Sequence, residues 1–132
     1  DMHRDPYLSY LNRTTPLAMA QLFDRFNNEM RNASQSYSEI SVMLKQCRTG
    51  LDRLALPLLP TNATIGHKTG TGFPTPEGRI SAVNDCGYVN LPNGTRYSIA
   101  VFVADSGYDM AATSAIIAEI SKIVWKRLTK QK

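Results

Sequence analysis

The first half of the chain carries apolar residues at helical spacing, in two blocks. A Thr-Pro pair at positions 15 and 16 is typical of a helix N-cap followed by proline in the first turn. The apolar stripe that follows predicts a helix from residue 16 to about residue 30. A capping box, Ser36-x-x-Glu39, predicts the start of a second helix, and we expect Gly50 to end it.

The second half of the chain changes to the alternating pattern of strands. We predict strands over residues 64–71, 79–90 and 97–104, with a proline-containing turn at 73–78 and an Asn-Gly hairpin turn at 93–94. The strand at 97–104 is apolar or small on both faces, so we expect it to be covered on both sides and central in its sheet.

The last segment, residues 109–129, has the pattern of an amphipathic helix. Its predicted apolar face consists of Thr113, Ile117, Ile120, Val124 and Leu128. This helix can cover one side of the sheet and the two early helices the other. Residues 51–60 are apolar and proline-punctuated, which predicts a packed connector. Together the elements predict an antiparallel sheet flanked by helices, with about three strands and three helices.

Composition and charge narrow the possible partners. The chain has 132 residues, 42% of them hydrophobic, and no run of about 18 apolar residues, so we predict no membrane span. The net charge of +4 would permit nucleic-acid binding, but five basic residues crowd the end of the last helix, where they complement its dipole. No aromatic-interleaved basic stripe is present, so we predict no nucleic-acid partner.

The two cysteines, Cys47 and Cys86, permit one disulfide, but we expect both to be free and buried as small apolar residues. Neither the cysteines nor the two histidines have the spacing of a metal site. The sequence therefore predicts neither a metal nor a cofactor.

One stretch, Gly-His-Lys-Thr-Gly-Thr-Gly at residues 66–72, indicates a binding site. As a strand it presents a cation, two hydroxyls and unhindered backbone N–H groups along one edge. That set suits a substrate with a carboxylate beside a reactive carbonyl. A surface lysine between ordinary strand-forming threonines is the alternative. The three glycines favour a binding site. So many glycines in one strand reduce its side-chain packing, and this is expected only where another group approaches the backbone.

This stretch and its surroundings resemble the C-terminal half of class A serine β-lactamases, in which Lys-Thr-Gly is a signature. Residues 47–54 resemble the helix end and turn before that motif, and Asn84-Asp85 resembles the pair on the following strand in the subclass that reads His-Lys-Thr-Gly. The resemblance covers essentially the whole chain and implies the α/β (α+β) fold of serine β-lactamases and transpeptidases. It implies that residues 1–60 hold the end of the omega loop and the helical part, and that residues 61–132 hold the sheet and the C-terminal helix.

The resemblance implies roles for individual residues. Lys68 would attract the substrate carboxylate, and the backbone N–H of Thr71 would belong to the oxyanion hole, so both are expected to be catalytic. Thr69, Gly70, Thr71 and Arg53 are expected to bind substrate; a solvated arginine is the alternative for Arg53.

Three further residues are weighed in the same way. His3 matches a position where many class A enzymes carry an asparagine that holds the deacylating water, so it is a possible water-positioning residue; a solvated histidine is the alternative. His67 is expected to point away from the face of Lys68 and to be structural. Arg79 is a weaker candidate for binding the substrate carboxylate.

Three features that the family requires are not found in this sequence: a Ser-x-x-Lys nucleophile motif, a Ser-Asp-Asn motif and a glutamate, expected two residues before Asp1. We therefore expect this chain to be the C-terminal fragment of an exported bacterial enzyme, periplasmic or secreted, that hydrolyses β-lactams through a serine acyl-enzyme. Alternatives are a penicillin-binding DD-transpeptidase or carboxypeptidase, and a non-catalytic ligand-binding domain.

The resemblance also implies a partner. In the family, strands from the N-terminal half pair with the strand matched here by residues 97–104, which becomes an edge without them. We expect the isolated chain to be inactive, and to pair with the complementary N-terminal half or to form an intertwined dimer.

Overall fold

The computed structural model describes residues 13–30 and 35–130, except for the side chains of residues 35 and 36. It contains helices α1 (Pro16–Glu29), α2 (Gln35–Lys45) and α3 (Met110–Thr129), and strands β1 (Thr64–Thr71), β2 (Ile80–Asn90) and β3 (Arg96–Ser106). The strands form one antiparallel sheet in the order β1-β2-β3. The predicted α+β arrangement is confirmed, and the bounds of β1 are those predicted from the sequence.

The sheet lies between two layers that contact opposite faces of β2. On one face, Cys86 and Tyr88 pack against Phe23 of α1. On the other face, Val83 packs with Leu54 of the connector and with Ile117 of α3. Residues 46–60 form successive turns, and this connector supplies part of the core, as its apolar composition predicts.

Two glycines allow β1 and β2 to carry large side chains against each other. Gly66 pairs with Tyr88, and a Cβ on Gly66 would lie 2.4 Å from the tyrosine ring. Gly87 pairs with His67, and a Cβ on Gly87 would lie 2.3 Å from the carbonyl oxygen of Gly66. Gly66 of β1 therefore serves packing within the chain. Of the two glycines of β1, Gly70 has an open side, where the nearest atom to an added Cβ would be 3.9 Å away, in Asn84.

The predicted ends of α2 were wrong. The helix already includes Gln35, so Ser36 lies inside it, and it ends at Lys45 instead of continuing to Gly50. Gly50 has φ +61° in the following turn, where a Cβ would lie 2.6 Å from Thr69. Because residue 50 is a glycine and has no Cβ, this turn can approach β1 closely.

The central position predicted for β3 from its apolar pattern was also wrong. β2 is the central strand, and β3 lies at an edge of the described sheet, as the family resemblance implied for this chain. Of the residues of β3, only Ile99 and Ser106 are buried. Alternation of apolar residues identified the strand but not its neighbours, because a neighbour is a tertiary contact.

The buried face of α3 differs from the predicted stripe at one position. Ile120 is 38% exposed, whereas two serines lie in the interface. Ser114 accepts a hydrogen bond from Arg53 at 3.3 Å, and Ser121 donates to the carbonyl oxygen of Leu54 at 2.8 Å. Hydrogen bonds to the connector thus satisfy the hydroxyls of the two buried serines of this helix.

The contact of Gly87 with β1 gives a stability prediction. Gly87→Ala in the full-length protein is expected to lower the free energy of unfolding by about 1–3 kcal/mol, the usual cost of overpacking, because the added methyl meets backbone atoms of Gly66 and His67. Urea unfolding measures this loss. Gly70→Ala is the matched control and is expected to change stability by less than about 0.5 kcal/mol. Equal stability of the two variants would contradict the packing argument.

Candidate functional site

The free edge of β1 carries the candidate site. The N–H of Gly72 donates to the carbonyl oxygen of Ala82 at 2.8 Å, toward β2. Because successive amides of a strand point to opposite sides, the N–H groups of Thr69 and Thr71 point away from β2. They are therefore directed at the outer edge of the sheet, where no other described strand pairs.

Lys68 and Gly70 lie on the face of the sheet that α1 and α2 cover further along. Lys68 pairs with Cys86 and Gly70 with Asn84 on β2. The Lys68 side chain is exposed, and its Nζ donates to the carbonyl oxygen of Thr69. Beside it, Gly70 leaves the backbone uncovered. The two residues form an open cationic surface.

The hydroxyls of Thr69 and Thr71 project to the other face of β1, toward the turn after α2. The Oγ1 atoms of Thr69 and Thr49 lie 2.6 Å apart. The Oγ1 of Thr71 accepts a hydrogen bond from Nη2 of Arg53 at 2.9 Å. The strand therefore presents its cation and its hydroxyls on either side of one edge, and the turn holds the hydroxyls in place.

Arg53 lies behind the strand and is only 6% exposed. Its Nη1 donates to the carbonyl oxygens of Gly70 at 3.3 Å and of Asn84 at 3.0 Å, in addition to the bond from Nη2 to Thr71. Arg53 therefore reaches this strand, and the alternative of a solvated arginine is wrong; that Arg53 binds substrate stays a prediction. Its contacts are those of a residue that supports β1 from within the protein.

Asp85 is a polar centre to which sequence reasoning assigned no role. It is fully buried in β2, and its Oδ1 lies 2.9 Å from Nδ1 of His67. Its Oδ2 accepts a hydrogen bond from the N–H of Leu54 at 3.2 Å. The structural reading of His67 is therefore confirmed. An acidic residue within an apolar strand was the signal in the sequence, but its partner depends on strand register.

The remaining candidates lie elsewhere. Arg79 forms an ion pair with Asp105 at 2.7 Å at the end of β3, so its guanidinium is engaged there and not at β1. His3 lies outside the described residues.

Both cysteines are free, as predicted, and no disulfide joins them. Cys86 is buried, and burial raises the pKa of its thiol to about 11. Cys47 is only half-buried, so the expectation of burial was wrong for this residue. Within residues 13–30 and 35–130, no group of three or more His, Cys, Asp or Glu is placed to hold a metal, and no helix there has the length and apolarity of a membrane span.

Sheet, helices and Lys-Thr-Gly edge together define a protein of the serine β-lactamase type, and comparison with known proteins agrees. The sequence model of the beta-lactamase enzyme family matches residues 3–128, and the chain belongs to that family.

Individual relatives are similar over nearly the whole chain. A beta-lactamase from Phocaeicola vulgatus is 39% identical over 97% of the chain and 40% of its own length. The beta-lactamase VEB-1 from Pseudomonas aeruginosa is 40% identical over 94% of the chain and 42% of its own length. The crystal structure of the extended-spectrum beta-lactamase TLA-1 matches with a TM-score of 0.89 at 38% identity, over 98% of this chain and 46% of that one. The chain thus spans about two fifths of the length of the curated relatives.

Proposed function

We propose that this chain is the substrate-binding part of a class A serine β-lactamase whose complete form hydrolyses β-lactam antibiotics. The observation that carries the proposal is the edge of β1: the exposed Lys68 ammonium lies beside the uncovered backbone of Gly70 and the outward amide of Thr71. The relatives at 38–40% identity, which carry the name beta-lactamase, support it. We place the intact enzyme in the periplasm or outside the cell, where a β-lactamase meets its substrate.

The edge supplies two kinds of interaction to a bound β-lactam. Lys68 attracts the substrate carboxylate, and a hydrogen bond to a charged group is stronger than a neutral one. Thr69, Gly70 and Thr71 follow Lys68 on the same strand, and the outward N–H groups of the two threonines and the uncovered backbone of Gly70 bind the substrate beside that charge. The threonine hydroxyls lie across the edge from Lys68, where Thr49 and Arg53 hold them. Arg53 assists by holding Thr71 and the carbonyl of Gly70 in place.

The outward N–H of Thr71 is one donor of an oxyanion hole. Charge develops on the lactam carbonyl oxygen as the nucleophile attacks, and a fixed donor stabilises it. Loss of one such donor typically costs about 10²–10³ in rate. The other donor, the nucleophilic serine and the general base come from sequence outside these 132 residues, since no Ser-x-x-Lys occurs among them. In this proposal His3 positions the deacylating water.

The first functional prediction concerns Lys68. In the full-length enzyme, Lys68→Ala is expected to lower kcat/KM about ten- to a hundredfold or more, because a hydrogen bond to a charged group contributes roughly 1.5–3 kcal/mol. Steady-state hydrolysis of a β-lactam measures the loss, and Lys126→Ala, at an exposed lysine of α3, serves as the control. An unchanged kcat/KM for Lys68→Ala would show that Lys68 is only a surface residue. A wild-type protein that is acylated without turnover would instead indicate a penicillin-binding transpeptidase or carboxypeptidase.

The second prediction concerns the 132-residue chain by itself. It is expected to show no nitrocefin hydrolysis above background, because its sequence contains no Ser-x-x-Lys or Ser-Asp-Asn motif. The full-length protein, assayed at the same concentration, is the positive control. Turnover by the purified chain alone would refute the assignment of its residues to the substrate-binding part.

We further propose that the chain associates with a complementary N-terminal half or with a second copy of itself. Three successive residues of the edge strand β3 carry a buried polar atom with no hydrogen-bond partner among the described residues: Arg96 Nη1, Tyr97 OH and Ser98 Oγ. Burial also raises the pKa of Tyr97 to about 12. An unpaired strand edge beside such atoms is typical of a pairing site. On α3, Ile116, Ile120 and Ile123 remain exposed as well.

This association predicts the behaviour of the purified chain. At micromolar concentration it is expected to sediment as a dimer or larger species, because the edge of β3 and the apolar residues of α3 gain partners. Adding a complementary N-terminal fragment is expected to shift the population to a one-to-one complex. A sharp monomeric boundary together with cooperative unfolding, without any partner, would contradict this prediction.

A further inference from the structure

One buried carboxylate joins the two segments that form the candidate site. Asp85 is fully buried, and it bonds to His67 through Oδ1 and to the N–H of Leu54 through Oδ2. His67 immediately precedes Lys68 on β1. Leu54 immediately follows Arg53 in the connector. Each bond to Asp85 therefore lies one residue away from a cation of the site.

The hydrogen bonds close into a ring. Asp85 holds the N–H of Leu54, the neighbouring Arg53 donates to Thr71 at 2.9 Å, and β1 leads back from Thr71 to His67 and to Asp85. Arg53 also donates to the carbonyl oxygen of Asn84, the residue before Asp85. The ring fixes the outward amide of Thr71 relative to the backbone that carries Lys68.

The second nitrogen of His67, Nε2, restricts which nitrogen of the imidazole carries the proton. His67 Nε2 is buried and has no partner among the described residues. A buried N–H without an acceptor is costly, and the Asp85 carboxylate needs a donor from Nδ1. Both requirements are met when the neutral imidazole carries its proton on Nδ1 and leaves a lone pair on Nε2. This tautomer keeps the ring of hydrogen bonds intact.

We propose that Asp85 is a positioning residue for catalysis: through His67 and Leu54 it holds the cation of β1 and the oxyanion donor at the separation that the substrate requires. The proposal rests on the proposed β-lactamase function for its kinetic part. Asp85 touches no substrate, and it acts through Lys68 and Thr71. A carboxylate that only stabilised the fold would change activity solely by lowering the amount of folded enzyme.

A double-mutant cycle distinguishes the two roles. In the full-length protein, Asp85→Asn removes one acceptor and is expected to lower kcat/KM about ten- to a hundredfold, the scale of a small misplacement of catalytic groups. In a Lys68→Ala background the same change is expected to cost less than about threefold, because residues that act as a unit are not additive. Asp52→Asn, at an exposed position in the same turn, is the matched control and is expected to leave activity unchanged. All rates are measured per folded enzyme, well below each melting temperature.

Additive losses in the cycle would overturn the positioning role, as would an Asp85→Asn enzyme with wild-type kcat/KM. A second measurement uses the unmodified protein and needs no activity. Nitrogen-15 NMR of histidine-labelled protein is expected to show His67 protonated on Nδ1. An imidazole protonated on Nε2 instead would overturn the closed ring of hydrogen bonds. If the wild-type protein hydrolyses no β-lactam, the proposed function fails, while the NMR result still decides whether the ring exists.

Discussion

The close approach of β1 and β2 is the constraint on which the rest of the structure depends. It requires a glycine opposite each large side chain: Gly66 opposite Tyr88, and Gly87 opposite His67. With that space, the tyrosine hydroxyl reaches within 3.1 Å of Ser41 Oγ in α2, and the histidine reaches Asp85. One pair of glycines thus connects the helical layer, the sheet and the strand that carries the candidate site.

The two cations of the site have different environments and therefore different capacities. Lys68 is exposed, and its charge is available to a ligand. Arg53 is buried, and its N–H groups donate to other residues of the chain. The planar guanidinium suits this supporting task because its donors point in fixed directions. In the proposed function, binding is the task of the flexible side chain at the surface and support is the task of the rigid one beneath it.

Much of the fold could be predicted from the sequence where local signals decide the outcome. The bounds of β1, the Thr15 cap of α1 and the hairpin turn at Gly94 follow from alternation, capping and turn residues. The end of α2 and the buried face of α3 could not be predicted in this way. Gly50 serves the close approach of its turn to Thr69 of β1, and Ser121 is buried against Leu54 of the connector, and both are tertiary contacts.

The site divides in the same way. Lys68, Thr69 and Gly70 are adjacent in sequence, so a motif suffices to find them. The bond between His67 and Asp85 joins residues 18 positions apart and depends on strand register, which no motif in the chain specifies.

The open side of Gly70 has an evolutionary consequence. A larger residue at Gly66 collides with Tyr88, so selection on stability should keep that position small, whereas Gly70 has room for a Cβ. If the proposed function holds, a substitution at Gly70 can change the shape of the proposed substrate-binding edge while the packing of the sheet is preserved.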